Sequence, residues 1–471
     1  MPKLAAETLP VAPSSACGQA ALVALARNLR WEDLDAEVKH AARRHLLDTL
    51  GVMVAGGAGD LVDRVERTLD GVHGSGPVAV PGRSRRANPP DAAFLGGTGA
   101  HGLELDDGYR QGSVHPGVAT VPAVLAWSHG RRVSGRALLE AVIVGYEAII
   151  AIARACHPDL RRRGFHPTGA VGAFGAALAV GRLAGLDGAR LESALGLAAS
   201  SASGLFAFLG GGAEVKRLHA GQAARNGFMA ALLAEADVAG PPNVLAGPDG
   251  FMQAFALRPG RQVPQMVVPP GSSFGIADCY IKPYPCCRHL QPAAEALMAL
   301  AREHGLNSSN VTSIEVETYG IAAEHAHTGW DDFASAQLSF PFIMALGLKF
   351  GSIELRHFDP SVLRDPSIRA ICGRVKVVAD PELDRKYPDL RPARVTVSTA
   401  GGRLSREVPE ALGSRLVPLD DRGLERKFLD LTAPVLGPSG SERLLGALWT
   451  VEEADDVTTL IELSALPARN P

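Results

Sequence analysis

The sequence predicts a mainly α-helical protein in which a helical domain is interrupted by a smaller α+β unit. Three observations predict it. The chain has 471 residues, more than one ordinary core accommodates. Apolar residues recur at helical spacing through the first half and again near the C-terminus. Between those stretches the period changes to strand-like alternation, after a segment rich in proline.

The elements follow in order. Residues 1–17 carry no basic-then-apolar signal pattern and read as a terminal tail. Residues 34–54 place Val38, Ala41, Ala42, Leu46, Leu50 and Met53 on one helix face. Helices over 121–128, 137–153, 169–184, 191–202 and 218–236 follow the same logic. Gly130, Gly135, Gly185, Gly188, Gly240, Pro241 and Pro242 punctuate them. Pro259, Pro264, Pro269 and Pro270, with Gly271, Ser272 and Ser273, mark a crossing segment. Beyond it, 311–319, 374–380 and 393–399 read as strands, and Ala400-Gly401-Gly402 turns the last into 403–408 as a hairpin. Helical runs 291–304, 339–349 and 360–372 lie among them, and 421–431 and 442–448 return to helix. The expected division is 1–270, 271–410 and 411–471.

Composition narrows the function. A net charge of −3 gives no footprint for nucleic acid or an anionic membrane surface. The longest apolar stretch, 137–153, carries Glu140 and Glu147, which are costly in hydrocarbon, so it reads as a buried helix and no membrane span is expected. The six cysteines have no regular spacing, which points to reduced thiols and a cytoplasmic protein. With 46% apolar residues, only 5% aromatics and 52 glycines, the helices are expected to approach closely on small side chains.

Five segments collect residues with chemistry. The first runs from His101 through Glu104, Asp106, Asp107 and Tyr109 to Ser113 and His115. His101, Glu104 and Asp107 stand three residues apart, so a helix would put them on one face. Solvated acids at a helix end is the plain reading, and a metal site the sharper one. No recognised ligand spacing is present, so no metal is assigned. The second is Gly164-Phe165-His166-Pro167-Thr168-Gly169, at the mouth of an apolar helix whose free N–H groups suit an anion. An ordinary helix cap is its alternative. The third opens at Lys216-Arg217 after Gly210-Gly211-Gly212. Cations at a helix N-terminus make sense when an anion joins them. The fourth, Tyr280 to His289, displays Lys282, Tyr284, Cys286, Cys287 and His289 at the junction of the two regions, where clefts form. The fifth, Ser339-Phe340-Pro341-Phe342, is mostly core. Two motif matches are set aside. Gly97-Thr-Gly99-Ala-His-Gly102 lacks a preceding strand, and Gly271-Ser-Ser273-Phe-Gly275 follows prolines rather than a buried strand.

Taken together, with Leu47-Asp48-Thr49-Leu50-Gly51 early and Glu425-Arg426-Lys427-Phe428 late, these segments resemble the MmgE/PrpD family over nearly the whole chain. That family includes 2-methylcitrate dehydratase, cis-aconitate decarboxylase and iminodisuccinate epimerase. The resemblance implies a large all-α domain built from both chain ends, with an inserted α+β lid. It implies catalytic positions at Glu104, His115, His166, Lys216 and Lys282. Asp107, Tyr109, Thr168, Tyr284, Cys287 and His289 are the expected substrate-binding residues. Glu104, Gly108, Cys287 and Phe342 stand where the decarboxylase carries Asp, Thr, His and Tyr, and the 107–115 loop is one residue longer. These departures bear on the substrate and leave the class of chemistry.

The implied reaction is proton transfer beside a carboxylate of a small di- or tricarboxylate, run as a cofactor-independent lyase. An epimerase is the alternative, and an inactive ligand-binding homologue a further one. Lys216 and His166 are the expected proton-transfer pair, His115 and Lys282 position carboxylates, and Glu104 orients an imidazole. An iron–sulfur cluster is not expected, because Cys279, Cys286 and Cys287 lack its spacing. The resemblance also implies a homodimer.

Overall fold

Several of the long helices begin where the sequence supplies a capping side chain. Asp35 accepts the Val38 N–H (2.9 Å) to open Ala36–Gly57, Ser134 accepts from Ala137 (3.3 Å) to open Gly135–Cys156, and Asp187 accepts from Arg190 (2.9 Å) to open Gly188–Ser200. A computed structural model describes residues 18–256, 266 and 274–467. The 1–17 tail with Cys17, and most of the proline-rich crossing with its 270/271 boundary and Gly271 to Ser273, lie outside the described residues.

The protein is mainly α. Pro89–Ala100, Gly117–Ser128, Gly135–Cys156, Pro167–Leu183 and Val215–Glu235 pack side by side around the largest apolar core. Small residues let them approach. A Cβ on Gly97 would fall 2.8 Å from the Gly221 Cα, and one on Gly56 would fall 2.1 Å from the Gly99 carbonyl oxygen. The glycines of the set-aside 97–102 motif are therefore helix-packing glycines. Pro89–Ala100 escapes a sequence reading because it opens on two prolines and holds three glycines. Asp60–His73 escapes it because a surface helix buries only Val62 and Glu66.

The second core belongs to a mixed sheet. Val311–Thr318 pairs in parallel with Val375–Ala379 and antiparallel with Ala393–Thr399, which turns into Gly402–Val408. Gln291–His304 packs on this sheet. The single helix expected over 360–372 is two, Pro360–Leu363 and Pro366–Cys372. Pro366 disfavours helix at the residue before it, and Asp365 restarts the second helix by capping Ser367.

The C-terminal helices return to the first core. Asp421–Leu436 packs on Ala36–Gly57, with Phe428 against Gly51, so the early and late signatures touch. Lys427 Nζ donates to Asp48 (2.5 Å) and to the Leu105 carbonyl (2.6 Å). This contact fixes the loop that carries the acids. Among the described residues no helix is long and apolar enough to cross a membrane. Glu140 pairs with Arg182 (2.7 Å), and Glu147 accepts the N–H groups of Gly275 (3.0 Å) and Ile276 (2.8 Å). The five described cysteines are free.

The close helix approach makes a prediction. Gly to Ala inside a helix ordinarily stabilises by about 0.5–1 kcal/mol. At Gly56 the backbone of Gly99 blocks the new methyl, so G56A is expected to destabilise by about 1–3 kcal/mol. A lower urea midpoint at unchanged m-value would show it; an unchanged or raised midpoint would contradict it.

Candidate active site

The acidic loop is not a helix face. Pro89–Ala100 ends before His101, and Glu104 takes a left-handed backbone (φ 54°), which is uncommon for a side-chain-bearing residue. His101, Glu104 and Asp107 therefore do not share one face as their spacing suggested. The acids leave the loop in different directions. The Glu104 carboxylate contacts Lys216 through one oxygen and Lys282 through the other (3.2 Å). Asp106 accepts from Lys282 (3.2 Å), His101 Nδ1 (2.9 Å) and His115 Nδ1 (2.7 Å). Asp107 turns away to Tyr146 (2.5 Å), His45 (2.8 Å) and the Gly117 N–H (3.2 Å). Glu104 thus holds lysines; the acid that orients imidazoles is Asp106, which the sequence reading passed over.

The junction segment reaches this loop by backbone pairing. Gly108 and Tyr280 exchange two hydrogen bonds (3.0 and 2.8 Å), and Ile281 donates to the Gly413 carbonyl (2.9 Å). That bridge carries Lys282 beneath Glu104 and Asp106. Gln337 pins the next turn: its carbonyl accepts from Cys287 (2.9 Å), and its amide donates to the carbonyls of Leu103 (2.7 Å) and Pro285 (3.1 Å). Arg217 donates to Gln337 (2.6 Å) and to the Gly102 carbonyl (2.9 Å), so it braces the loop rather than meeting an anion. The anion joined to Lys216 is the protein's own Glu104.

One cavity of about 50 Å³ lies between the helical half and the α+β unit. His115, Arg161, His166, Lys216 and Phe208 line it from one side, and Cys287, His289 and His325 from the other. Thr168 stands behind it, accepting the His115 backbone N–H (3.2 Å). Glu104 and Lys282 are a layer deeper. Tyr109 and Tyr284 do not reach it: the Tyr109 hydroxyl donates to Gln111 (2.9 Å), and Tyr284 lines a separate hollow with Glu295 and Arg302. Asp107 is likewise a buried anchor, and Phe342 sits in the second core.

Protonation follows from partners. His115 Nδ1 lies 2.7 Å from the Asp106 carboxylate and 2.6 Å from the Asp107 carbonyl, both acceptors. Nδ1 therefore carries hydrogen, and in the neutral ring Nε2 is the free base. His101 donates to Asp106 in the same way. Burial pushes its imidazole down to about 4, against the opposing charge of Asp106, and its Nε2 has no partner. Burial, then His101, His219 and Lys216, hold His166 well below the ordinary value, and its Nδ1 lies 3.2 Å from His219 Nδ1. Burial likewise leads in lowering His289. Burial opposes ionisation of Glu104, Asp106 and Lys282, and their mutual attraction outweighs it: the acids fall well below their usual range and the lysine rises above its own. The site is thus a lattice of two lysines and two carboxylates, beside which burial holds the imidazoles of His101, His166 and His289 below the ordinary value.

His101, Asp106 and His115 are close enough to hold a metal ion. Lys282 already occupies the other Asp106 oxygen, and an ammonium there opposes a second cation. The donor set fits an acid–base relay better than a metal centre. Sequence reasoning gave Asp106 no role and missed Arg161 and His325. The run Arg161-Arg162-Arg163 just before Gly164 and the cluster Glu324-His325-Ala326-His327 were the available signals.

The MmgE/PrpD N-terminal domain matches residues 20–262, and the MmgE/PrpD C-terminal domain matches residues 284–453. Cis-aconitate decarboxylase from Aspergillus terreus (strain NIH 2624 / FGSC A1156) is 28% identical over 469 residues, 95% of each chain. Cis-aconitate decarboxylases of mouse and human are 25% and 24% identical; the alignments cover 91% and 93% of this chain and 89% and 93% of theirs.

Acid should weaken this site. Between pH 6.5 and about 4, the unfolded chain binds a proton at His101 that the folded chain refuses. Stability is then lost as pH falls through that window, by up to about 3 kcal/mol from this ring. H101Q should flatten the fall in unfolding free energy over the same range, measured by urea unfolding at stepped pH. An unchanged slope would refute the assignment.

Proposed function

The chain belongs to the MmgE/PrpD family, and from that premise and the cavity's chemistry we propose a lyase that moves a proton beside a carboxylate of a small di- or tricarboxylate, using side-chain acid–base chemistry alone. The observation that carries this reading is the convergence of Lys216, Arg161, His115 and His166 on one cavity. Lys216 and Arg161 would take carboxylates, Lys216 beside the developing enediolate-like charge. His115, with Nδ1 fixed on Asp106, presents Nε2 as the proton-transfer atom. His166 is the second such group and can pass a proton to His219. Lys282 acts from behind, as the counter-ion that keeps Glu104 and Asp106 charged.

Decarboxylation and dehydration both fit this machinery. In the first, a C–C bond to a carboxylate breaks and the allylic carbanion takes a proton. In the second, a base removes a carbon-bound proton and hydroxide leaves with one. The names of the relatives make cis-aconitate the first substrate to test, with 2-methylcitrate beside it. The α+β unit would serve as the lid. The cavity has room for a few waters rather than a tricarboxylate, so substrate entry would require the Arg161–Glu324 contact (2.5 Å) and the Ser113–Tyr387 contact (3.1 Å) to part.

Purified protein should release carbon dioxide from cis-aconitate or water from a 2-hydroxy tricarboxylate, read by proton NMR. Absence of turnover, together with absence of thermal stabilisation by any di- or tricarboxylate, would defeat the proposal. K216M and H115Q, with folding checked by circular dichroism, should each lose about a hundredfold or more in kcat. Arg161 and Glu324 should act with opposite sign: R161A raises KM, whereas E324A frees the guanidinium and lowers it. Movement of both KM values in the same direction would discard the entry role.

A further inference from the structure

We propose that Cys287 and His325 form a nucleophile–acid pair inside the cavity, at which an α,β-unsaturated carboxylate is captured as a thioether. The choice of ligand class rests on the lyase reading, because loss of water or carbon dioxide from such acids leaves an alkene conjugated to a carboxylate. The pair itself rests on geometry.

Cys287 Sγ lies 3.9 Å from His325 Nε2. His325 Nδ1 donates to the Leu338 carbonyl (2.9 Å), which fixes the ring with Nε2 toward the sulfur. Both side chains line the same cavity as Lys216, His115 and Arg161. Lys216 and Glu104 act on the thiol from one side, and His289 (ring 5.8 Å from that of His325) and Tyr319 flank the pair from the other. Burial works against the thiolate, and His325 outweighs it, leaving Cys287 below the ordinary thiol value. Burial works against the imidazolium, and Cys287 with the Leu338 carbonyl outweighs that in turn. Every other described cysteine shifts the opposite way; burial pushes Cys156 and Cys372 up to about 12 and also raises Cys279 and Cys286. A thiolate beside a cation, at a cavity that takes carboxylates, is the arrangement of a reactive cysteine.

The step balances within the pair and its ligand. The thiolate forms a C–S bond at the β-carbon. The alkene electron pair moves to the α-carbon and its carboxylate, held by Lys216. The proton of His325 Nε2 then closes the α-carbon. The product is a saturated thioether whose added mass equals that of the acid, with no oxidant or reductant.

The test uses full-length protein with C17A, so that the five described cysteines compete. Limiting iodoacetate at neutral pH, read by peptide mass mapping, should carboxymethylate Cys287 first. Iodoacetate should gain on iodoacetamide relative to the same ratio for free cysteine, because Lys216 and Arg161 attract the anion. H325Q should slow Cys287 alkylation by about tenfold, whereas C286A should not. Maleate should add its own mass at Cys287. If Cys287 reacts no faster than Cys286, or at the same rate in folded H325Q, the pair is overturned. Should H325Q not fold, the wild-type ratio of Cys287 to Cys286 labelling decides. Labelling by iodoacetate without a maleate adduct overturns the ligand class. Alkylation needs no turnover, so a chain that labels but has no lyase activity refutes the lyase reading alone. A chain that turns over without labelling refutes the pair alone.

Discussion

The site depends on one carboxylate shared by two ammonium groups. Glu104 comes from the loop after Pro89–Ala100, Lys216 from the first turn of Val215–Glu235, and Lys282 from the junction segment. None of the three is more than 5% exposed. Each alone would be a costly buried charge, several kcal/mol even after relaxation. Together they oblige three distant segments to meet at one point. Such a lattice is weak evidence for stability, since apolar side chains could fill the space as well. What it supplies is position: Lys216 is held at the cavity wall by its contact with Glu104.

Asp106 extends the same lattice to the imidazoles. One oxygen meets Lys282 and the other meets both His101 and His115. Charge and tautomer are thereby coupled. Asp106 stays ionised because of the lysine, and its ionised oxygen keeps hydrogen on the Nδ1 atoms, which leaves the opposite nitrogens free. Behind this layer, the Lys427–Asp48 pair and the Asp107 anchor to Tyr146 and His45 clamp the loop from both flanks. The early His45–Asp48 stretch and the late Lys427 are thus part of the support of this loop.

The cavity's floor and its walls are under different constraints. Its charged floor comes from paired groups whose removal would strand a partner in low dielectric. Its apolar walls, Phe206, Phe208, Ile321 and Leu338, bear no such obligation. Gly108 is more constrained. A Cβ there would fall 2.4 Å from the Tyr280 hydroxyl and 3.1 Å from His115 Nδ1, so any side chain at that position requires Tyr280 to sit elsewhere. The glycine at 108 thus shapes the space around His115.

Much of this was legible in sequence, for a physical reason. Hydrophobic period reports local burial, so the helices around residues 135–156 and 215–235 and the sheet strands emerged near their observed bounds. The order of the polar segments identified the family and brought His115, His166, Lys216, Cys287 and His289 to notice. Which of three acids within four residues does which task was not legible. Spacing assumed a helix, and the chain leaves the helix before His101 and turns left-handed at Glu104. Packing between segments far apart in the chain brought Arg161 and His325 to the cavity lining and left Tyr109 and Tyr284 outside it. The sequence by itself determined most of the elements, the family and the chemical inventory, because these rest on local propensity and residue identity. Only the tertiary structure decided which charges neutralise one another, because the energy of a buried ion depends on the partner that folding places beside it.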